Sequence, residues 1–402
     1  MEYDMVFEGG GAKGTVFVGA MQVFESLGHT PGRLLGTSAG AITAALLAAG
    51  YTAQEMQEGL AEKKDGRSVF SDFMAIPDPL DKASIHNSAT RELLRSINLP
   101  FIPDRFEEKL DDQLVEWLAA QPSLRCVFSF IERGGWYSAN NFLTWLKKRL
   151  DMGFNKGQPR RYSGLALAQF YDATQVDLSL VASDTTAGLM LVLNHRTAPD
   201  LPLVWAVRMS MSVPLLWQEV VWQEEWGTYR GRPMSGHTLV DGGLLSNFPI
   251  ELFVSRDQIV IDLMGPKTSE NVLGLLIDES LPVKGTETAV KPAAKLSLGD
   301  LRTVQRISNL VNTTMGARDK MIIDAFEKFV VRLPAQGYGT TEFDMTDERQ
   351  KLLVTAGCEA MQAYFERAAA AADMVSFGFE STVEDDETQE AADKLALRIL
   401  ER

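Results

Sequence analysis

Between residues 4 and 49 the chain twice runs from a short apolar segment, through a knot of small residues, into a helical pattern. Residues 4–8 read as a strand, and 15–26 as a helix with Val16, Ala20, Val23 and Phe24 on one face. Residues 33–37 read as a second strand and 39–49 as a second helix, and a third helix opens on the capping box Thr52-Ala53-Gln54-Glu55. Parallel strands need a crossover between them, so this rhythm predicts a mostly parallel sheet with helices packed on it, an α/β fold.

Parallel-sheet character is expected again at LSLVAS (178–183), LMLVLN (189–194) and QIVIDLM (258–264), and VVRLP (330–334) reads as a last strand. Helices are expected near 104–120, 139–151, 296–328 and 346–372. Residues 65–175 are otherwise irregular. The stretch 380–402 carries eight acidic and three basic residues and ends in a small amphipathic helix bearing Ala392, Leu395, Ile399 and Leu400.

Both junctions between strand and helix are chemically suggestive. The second, Gly36-Thr37-Ser38-Ala39-Gly40, is a G-x-S-x-G at a strand end. There a tight turn exposes a serine hydroxyl and small neighbours let backbone pass close by. The helix that follows offers free N–H groups and the positive end of its dipole. A serine nucleophile needs a base, but the histidines are His29, His86, His195 and His237, and none lies after residue 237. The usual order of serine, acid and then histidine is therefore disfavoured.

The alternative base is Asp241, which follows an apolar strand and precedes two glycines in HTLVDGGLLSNFPIEL (237–252). An ordinary aspartate titrates near 3.9, too low for a good base, and burial would have to raise it. Without the serine elbow, Asp-Gly here would read as a hairpin turn.

The first junction, Gly9-Gly10-Gly11-Ala12-Lys13-Gly14, has two readings. It can aim backbone N–H groups at the oxyanion of a tetrahedral intermediate, with glycine giving the backbone freedom and space to do so. It also fits the G-x-G-x-x-G of a dinucleotide loop, which requires an acidic residue about 20 residues on, at the end of the next strand. That strand ends instead in Gly36-Thr37-Ser38, and G-x-x-x-x-G-K-[ST] is absent. The nucleotide reading is the weaker.

Composition narrows the partners. A net charge of −15 argues against non-specific nucleic-acid binding and confines any contact with anionic lipid to a local patch. The best patch is 132–162, with seven basic and two acidic residues and Trp136, Tyr137, Phe142, Trp145 and Phe154 interleaved. A solvated helix face fits it equally. Trp217, Trp222 and Trp226 are candidates for an acyl pocket, a membrane contact or the core. MEYDMVFEGG has no basic start, the apolar stretch 39–50 is too short to span a bilayer, and Cys126 and Cys358 are the only cysteines. A soluble cytoplasmic protein with transient membrane association is the expectation.

In this order and spacing, GGGAKG (9–14), GTSAG (36–40) and DGG (241–243) resemble the patatin-like phospholipase family. VRMSMSVPLLWQEV (207–220) is similar to its R-x-S-x-[SA]-x-P segment, SNFP (246–249) to the turn after its DGG, and FDMTDERQKLLVTAGCEAM (343–361) to its closing helix. The resemblance covers roughly residues 4–372, with 65–175 poorly matched.

It implies a patatin-like fold, a central mostly parallel β-sheet sandwiched by helices in three layers, over residues 1–375. Residues 65–175 would be a helical insertion or lid, and 376–402 an acidic tail. It further implies Ser38 as nucleophile and Asp241 as general base. Gly9, Gly10, Gly11, Ala12, Lys13 and Gly14 would form the oxyanion hole, mainly through the N–H groups of Gly10 and Gly11. Gly36, Gly40, Gly242, Gly243, Arg208 and Asn247 would support them. Lys13 could touch a lipid phosphate, although a structural role fits that position better. The reaction implied is hydrolysis of phospholipid or related acyl esters through an acyl-enzyme, with no metal or cofactor. The partners implied are lipid, a membrane surface and no nucleic acid. A membrane-degrading effector of the same chemistry, silent until a partner, ligand or homo-oligomer activates it, is the alternative. A catalytically dead lipid- or nucleotide-binding module is a third.

Overall fold

A computed structural model describes residues 1–74, 76–78, 86–96, 117, 121–286, 325–375 and 383–400. The helices expected at 104–120 and over most of 296–328 lie outside the described residues.

One eight-stranded sheet organises the chain. Its strands are β1 (Glu2–Phe7), β2 (Thr30–Thr37), β3 (Leu178–Asp184), β4 (Leu189–Leu193), β5 (Val220–Val221), β6 (Thr238–Asp241), β7 (Val272–Pro282) and β8 (Val330–Gln336). Their order is β5-β6-β3-β2-β1-β7-β8, with β4 also paired to β3. The five strands from β3 to β8 are parallel, whereas β4, β5 and β6 join antiparallel.

Both faces of the sheet are covered. Met5, Phe7, Leu34 and Leu180 enter one apolar cluster, while Val6, Leu35 and Val181 enter the other. Alternate residues thus bury on opposite sides, which is why these strands are apolar runs with no polar alternation. On the first face lie α1 (Val16–Ser26), α2 (Ala39–Ala48), α3 (Ala53–Leu60), α4 (Asn140–Asp151) and α5 (Leu203–Ser210). The second face is covered by α6 (Gln258–Met264) and by α8 (Val383–Leu400), and α7 (Asp347–Val375) packs along α1. The closest approach is between glycines. A Cβ on Gly19 would meet Val354 O at 1.8 Å, and one on Gly357 would meet Val16 O at 2.1 Å. Thr52 and Glu55 form the expected capping box.

Two expectations need correction. QIVIDLM is helix α6, capped by the Asp257 side chain, which accepts from Ile259 N–H at 2.8 Å. Val260, Leu263 and Met264 bury at helical spacing while Ile259 stays exposed, so a short apolar run was ambiguous between helix and strand. The missing central strand is β7, whose Gly274 leaves room for the Phe248 ring. LMLVLN is a strand, but it returns as a hairpin antiparallel to β3. The acidic tail ends in a docked helix, with Ala392, Ala396 and Ile399 in the second cluster.

Candidate active site

The sheet itself brings Ser38 and Asp241 together. Thr37, the last residue of β2, pairs with Val181, and Asp241, the last of β6, pairs with Ala182. Consecutive residues of β3 therefore receive the carboxyl ends of two strands that arrive from opposite directions. The sheet changes here from parallel to antiparallel pairing.

Ser38 joins β2 to α2 at φ 54° and ψ −119°, a backbone conformation rarely adopted outside glycine and held only where the surroundings impose it. The turn closes so tightly that a Cβ on Gly36 would lie 2.4 Å from Gly40 O, and one on Gly40 2.2 Å from Phe7 O. Ser38 N–H donates to Ser210 Oγ at 3.1 Å.

Asp241 is fully buried. Its Oδ1 accepts from Gly243 N–H at 2.8 Å, and its Oδ2 makes no hydrogen bond of full geometry among the described residues. Burial pushes the carboxyl up to about 7, although the neighbouring Ser38 hydroxyl and the Gly243 N–H pull it back. Such a group is half ionised near neutrality, as a general base should be. Gly242 is needed for the close pass under β3, since a Cβ there would meet Val181 O at 2.4 Å.

The segment after α5 holds both residues. Besides the Ser210 contact, Ser212 O accepts the Asp241 N–H at 2.9 Å. Arg208, itself buried, donates to Ser212 Oγ and, at 2.7 Å, to Gln218 O. With neutral partners only, burial draws its guanidinium down to about 9.

The glycine loop is clamped from three sides. Asn247 Nδ2 donates to Gly9 O at 3.0 Å and to Glu8 Oε1 at 3.1 Å, while Ile277 N–H donates to Glu8 Oε2 at 2.5 Å. Ala12 N–H donates to Thr340 O at 2.9 Å. Gly11 lies at φ +57°, and its missing side chain makes way for that same carbonyl, 2.2 Å from where a Cβ would stand. A Cβ on Gly9 would lie 2.9 Å from Ser38 Cβ, and one on Gly14 2.8 Å from Ala39 Cβ. The N–H groups of Gly10 and Gly11 donate to no other group among the described residues. Lys13 is buried and ion-paired with Glu279.

From Ser38 a cleft opens along one side of α2. Ala39, Ile42, Thr43 and Leu46 form one wall, with Val18, Met56, Phe70, Phe73, Trp145, Trp217 and Phe343 opposite. It is an apolar groove with a hydroxyl at one end. Tyr51 and Arg149 line it as well, and Tyr51 OH donates to Arg149 O at 2.6 Å.

Other candidates resolve differently. None of the four histidines lines this cleft: His237 Nδ1 is 2.7 Å from Asp184 Oδ2, His195 stacks on Tyr171, and His29 sits among Tyr3, Phe24 and Phe365. Trp217, Trp222 and Trp226 are all buried, and of the three only Trp217 lines the groove. The basic stretch 132–162 is partly consumed internally, because Arg149 and Arg160 are buried and paired with Glu62 and Glu55. Sequence reasoning missed Glu8, Ser210, Ser212, Ile277 and Thr340. Glu8, a carboxylate closing an apolar strand, and Ser210 and Ser212, inside the R-x-S-x-[SA]-x-P segment, carried a visible signal.

Among the described residues no group of three His, Cys, Asp or Glu side chains is arranged to hold a metal ion. No helix among them is long and apolar enough to cross a membrane.

The sequence profile described as patatin-like phospholipase matches residues 5–254. The uncharacterized protein YqhO of Bacillus subtilis (strain 168) is 28% identical over 364 residues, covering 89% of this chain and 96% of that protein. Among solved structures, VipD from Legionella pneumophila aligns with a TM-score of 0.42 at 16% identity, over 91% of this chain and 67% of that one. A chain of the ExoU–SpcU heterodimer of Pseudomonas aeruginosa aligns with a TM-score of 0.36 at 16% identity, over 98% of this chain. This chain spans 59% of that one.

Proposed function

Because the chain belongs to the patatin-like phospholipase family, we propose that it is a lipid acyl hydrolase in which Ser38 is the nucleophile and Asp241 the general base. The observation that carries this reading is a fully buried carboxyl raised to about 7, meeting a strained serine at one point of the sheet. An apolar groove leads away from that serine and suits an acyl chain.

In this mechanism Ser38 Oγ attacks the acyl carbonyl carbon and its proton passes to Asp241. The carbonyl oxygen becomes an oxyanion, held by the N–H groups of Gly10 and Gly11. Collapse breaks the ester C–O bond, and Asp241 returns the proton to the leaving alcohol. Water, deprotonated by the same carboxylate, then attacks the acyl-Ser38 ester, releasing fatty acid and restoring the hydroxyl. Arg208 and Asn247 position the two motifs without touching the reacting atoms. Lys13, occupied by Glu279, takes a structural role.

The domain is assigned to residues 1–375, with 376–402 as an appendix bearing the docked α8. A second reading adds a switch to the same chemistry, and the Asp241 Oδ2 left without a full hydrogen bond favours it. A ligand or self-assembly would then tighten the Ser38–Asp241 contact. The test is fatty-acid release from phospholipid vesicles by purified protein at high and low concentration. Ser38→Ala and Asp241→Asn are each expected to abolish release while the fold persists. Undiminished release by Ser38→Ala refutes the dyad, and full activity in dilute monomer removes the switch.

A further inference from the structure

Behind the dyad the fold leaves a second cavity, of ≈ 210 Å³, which shares no lining residue with the Ser38 groove. Arg208 lines it from its buried end, 3% exposed. Its walls include Leu143, Trp205 and Trp226, the two indoles 5.1 Å apart at 32°. Glu219 and Gln223 stand exposed at its mouth.

Every partner of Arg208 among the described residues is neutral: the Ser212 hydroxyl, the Gln218 carbonyl and the Met211 sulfur at 4.0 Å. No counter-ion answers it among the described residues, and burial draws its pKa down to about 9. Glu219 pairs with no cation among the described residues, and burial pushes its carboxyl up despite its place at the rim. The cavity is therefore lined by a guanidinium, two indoles and a carboxylate, and the two charges are not paired with each other among the described residues.

We propose that this cavity binds a small zwitterion, its terminal oxyanion on Arg208 and its ammonium group against the Trp205–Trp226 faces and Glu219. A guanidinium suits a phosphate or a carboxylate, and indole faces with a nearby carboxylate suit an ammonium. Occupancy is felt at the dyad through short covalent and hydrogen-bonded steps. Arg208 holds Ser212, whose carbonyl holds Asp241 N–H, and two residues earlier Ser210 holds Ser38 N–H. On the hydrolase reading proposed above, on which this step rests, the ligand acts as an effector of the Ser38 site.

Phosphocholine, glycine betaine and inorganic phosphate titrated into the full chain, followed by tryptophan fluorescence and calorimetry, test this directly. At least one zwitterion is expected to bind about tenfold or more tighter than inorganic phosphate. Comparing phosphocholine with betaine identifies the oxyanion. Arg208→Gln is expected to abolish binding. Glu219→Gln, at the exposed rim, is expected to weaken the zwitterion by about tenfold and leave inorganic phosphate unchanged. It keeps the test intact if Arg208→Gln fails to fold. No saturable binding of either zwitterion at millimolar concentration overturns the proposal, and so does binding that Glu219→Gln leaves unaltered.

Discussion

Ser210 Oγ accepts the backbone N–H of Ser38 at 3.1 Å, so a side chain 172 residues away holds the strained turn on which Ser38 stands. Removing it leaves a buried N–H unsatisfied, at a cost of roughly 1–3 kcal/mol. Ser210→Ala is expected to lower kcat by roughly tenfold to a hundredfold with KM little changed. Steady-state kinetics on a soluble ester, with a thermal melt as the fold control, read this out.

The raised carboxyl of Asp241 predicts how stability depends on pH. Its pKa is about 7 in the fold against 3.8 ordinarily, so between these values the folded state binds the extra proton. Stability then falls as pH rises through this window and is flat above it. The full penalty at pH 8 is roughly 4 kcal/mol. Asp241→Asn removes the charge, so it is expected to abolish hydrolysis and raise Tm at pH 8, with the gain vanishing near pH 4. An equal gain at both pH values contradicts the buried charge.

The same titration sets the rate profile. In the proposed mechanism Asp241 must be ionised to take the Ser38 proton, so kcat/KM for a non-ionising ester is expected to rise about tenfold per pH unit below about 7 and level off above. A profile that is flat from pH 5 to 8 would contradict this assignment.

Two glycines with the same backbone sign separate function from fold. Gly11 has φ +57° and a Cβ there would stand 2.2 Å from Thr340 O, whereas Gly28 has φ +72° with nothing within 4 Å. Gly28→Ala is expected to lower stability by about 1 kcal/mol and keep activity. Gly11→Ala must displace the N–H groups proposed to hold the oxyanion, and a hundredfold or greater loss of kcat is expected, roughly the effect of one lost oxyanion donor.

Leu46 lies two helical turns beyond Ser38, roughly 10–12 Å along α2, on the wall of the groove. Filling that position with Leu46→Trp is expected to reduce hydrolysis of long-chain esters about tenfold relative to short ones. Unchanged chain-length preference in a folded variant would remove the acyl chain from this groove.

The motifs could be read because each is local. Gly36, Ser38 and Gly40 lie within five residues, and a turn that sharp demands small neighbours wherever it occurs. Asp241 was legible by position, but not its pKa, which arises from burial under β3 and from residues distant in sequence. Two clamps on the glycine loop were hidden for the same reason: Ile277 and Thr340 reach Gly10 and Ala12 only after the sheet has closed, whereas Asn247 was expected as a support and only its hold on Gly9 was not. QIVIDLM misled because seven residues are too few for periodicity to separate a buried helix from a buried strand.

The glycine loop at residues 9–14 is finished by atoms that lie hundreds of residues further along the chain. Ile277 covers Gly10, Thr340 O fixes Ala12, and Gly357 lets α7 close on α1. A nascent chain that has emerged only as far as residue 254 carries all three motifs and lacks every one of these braces. The loop therefore cannot reach its final shape until β7, the Thr340 segment and α7 have joined the fold.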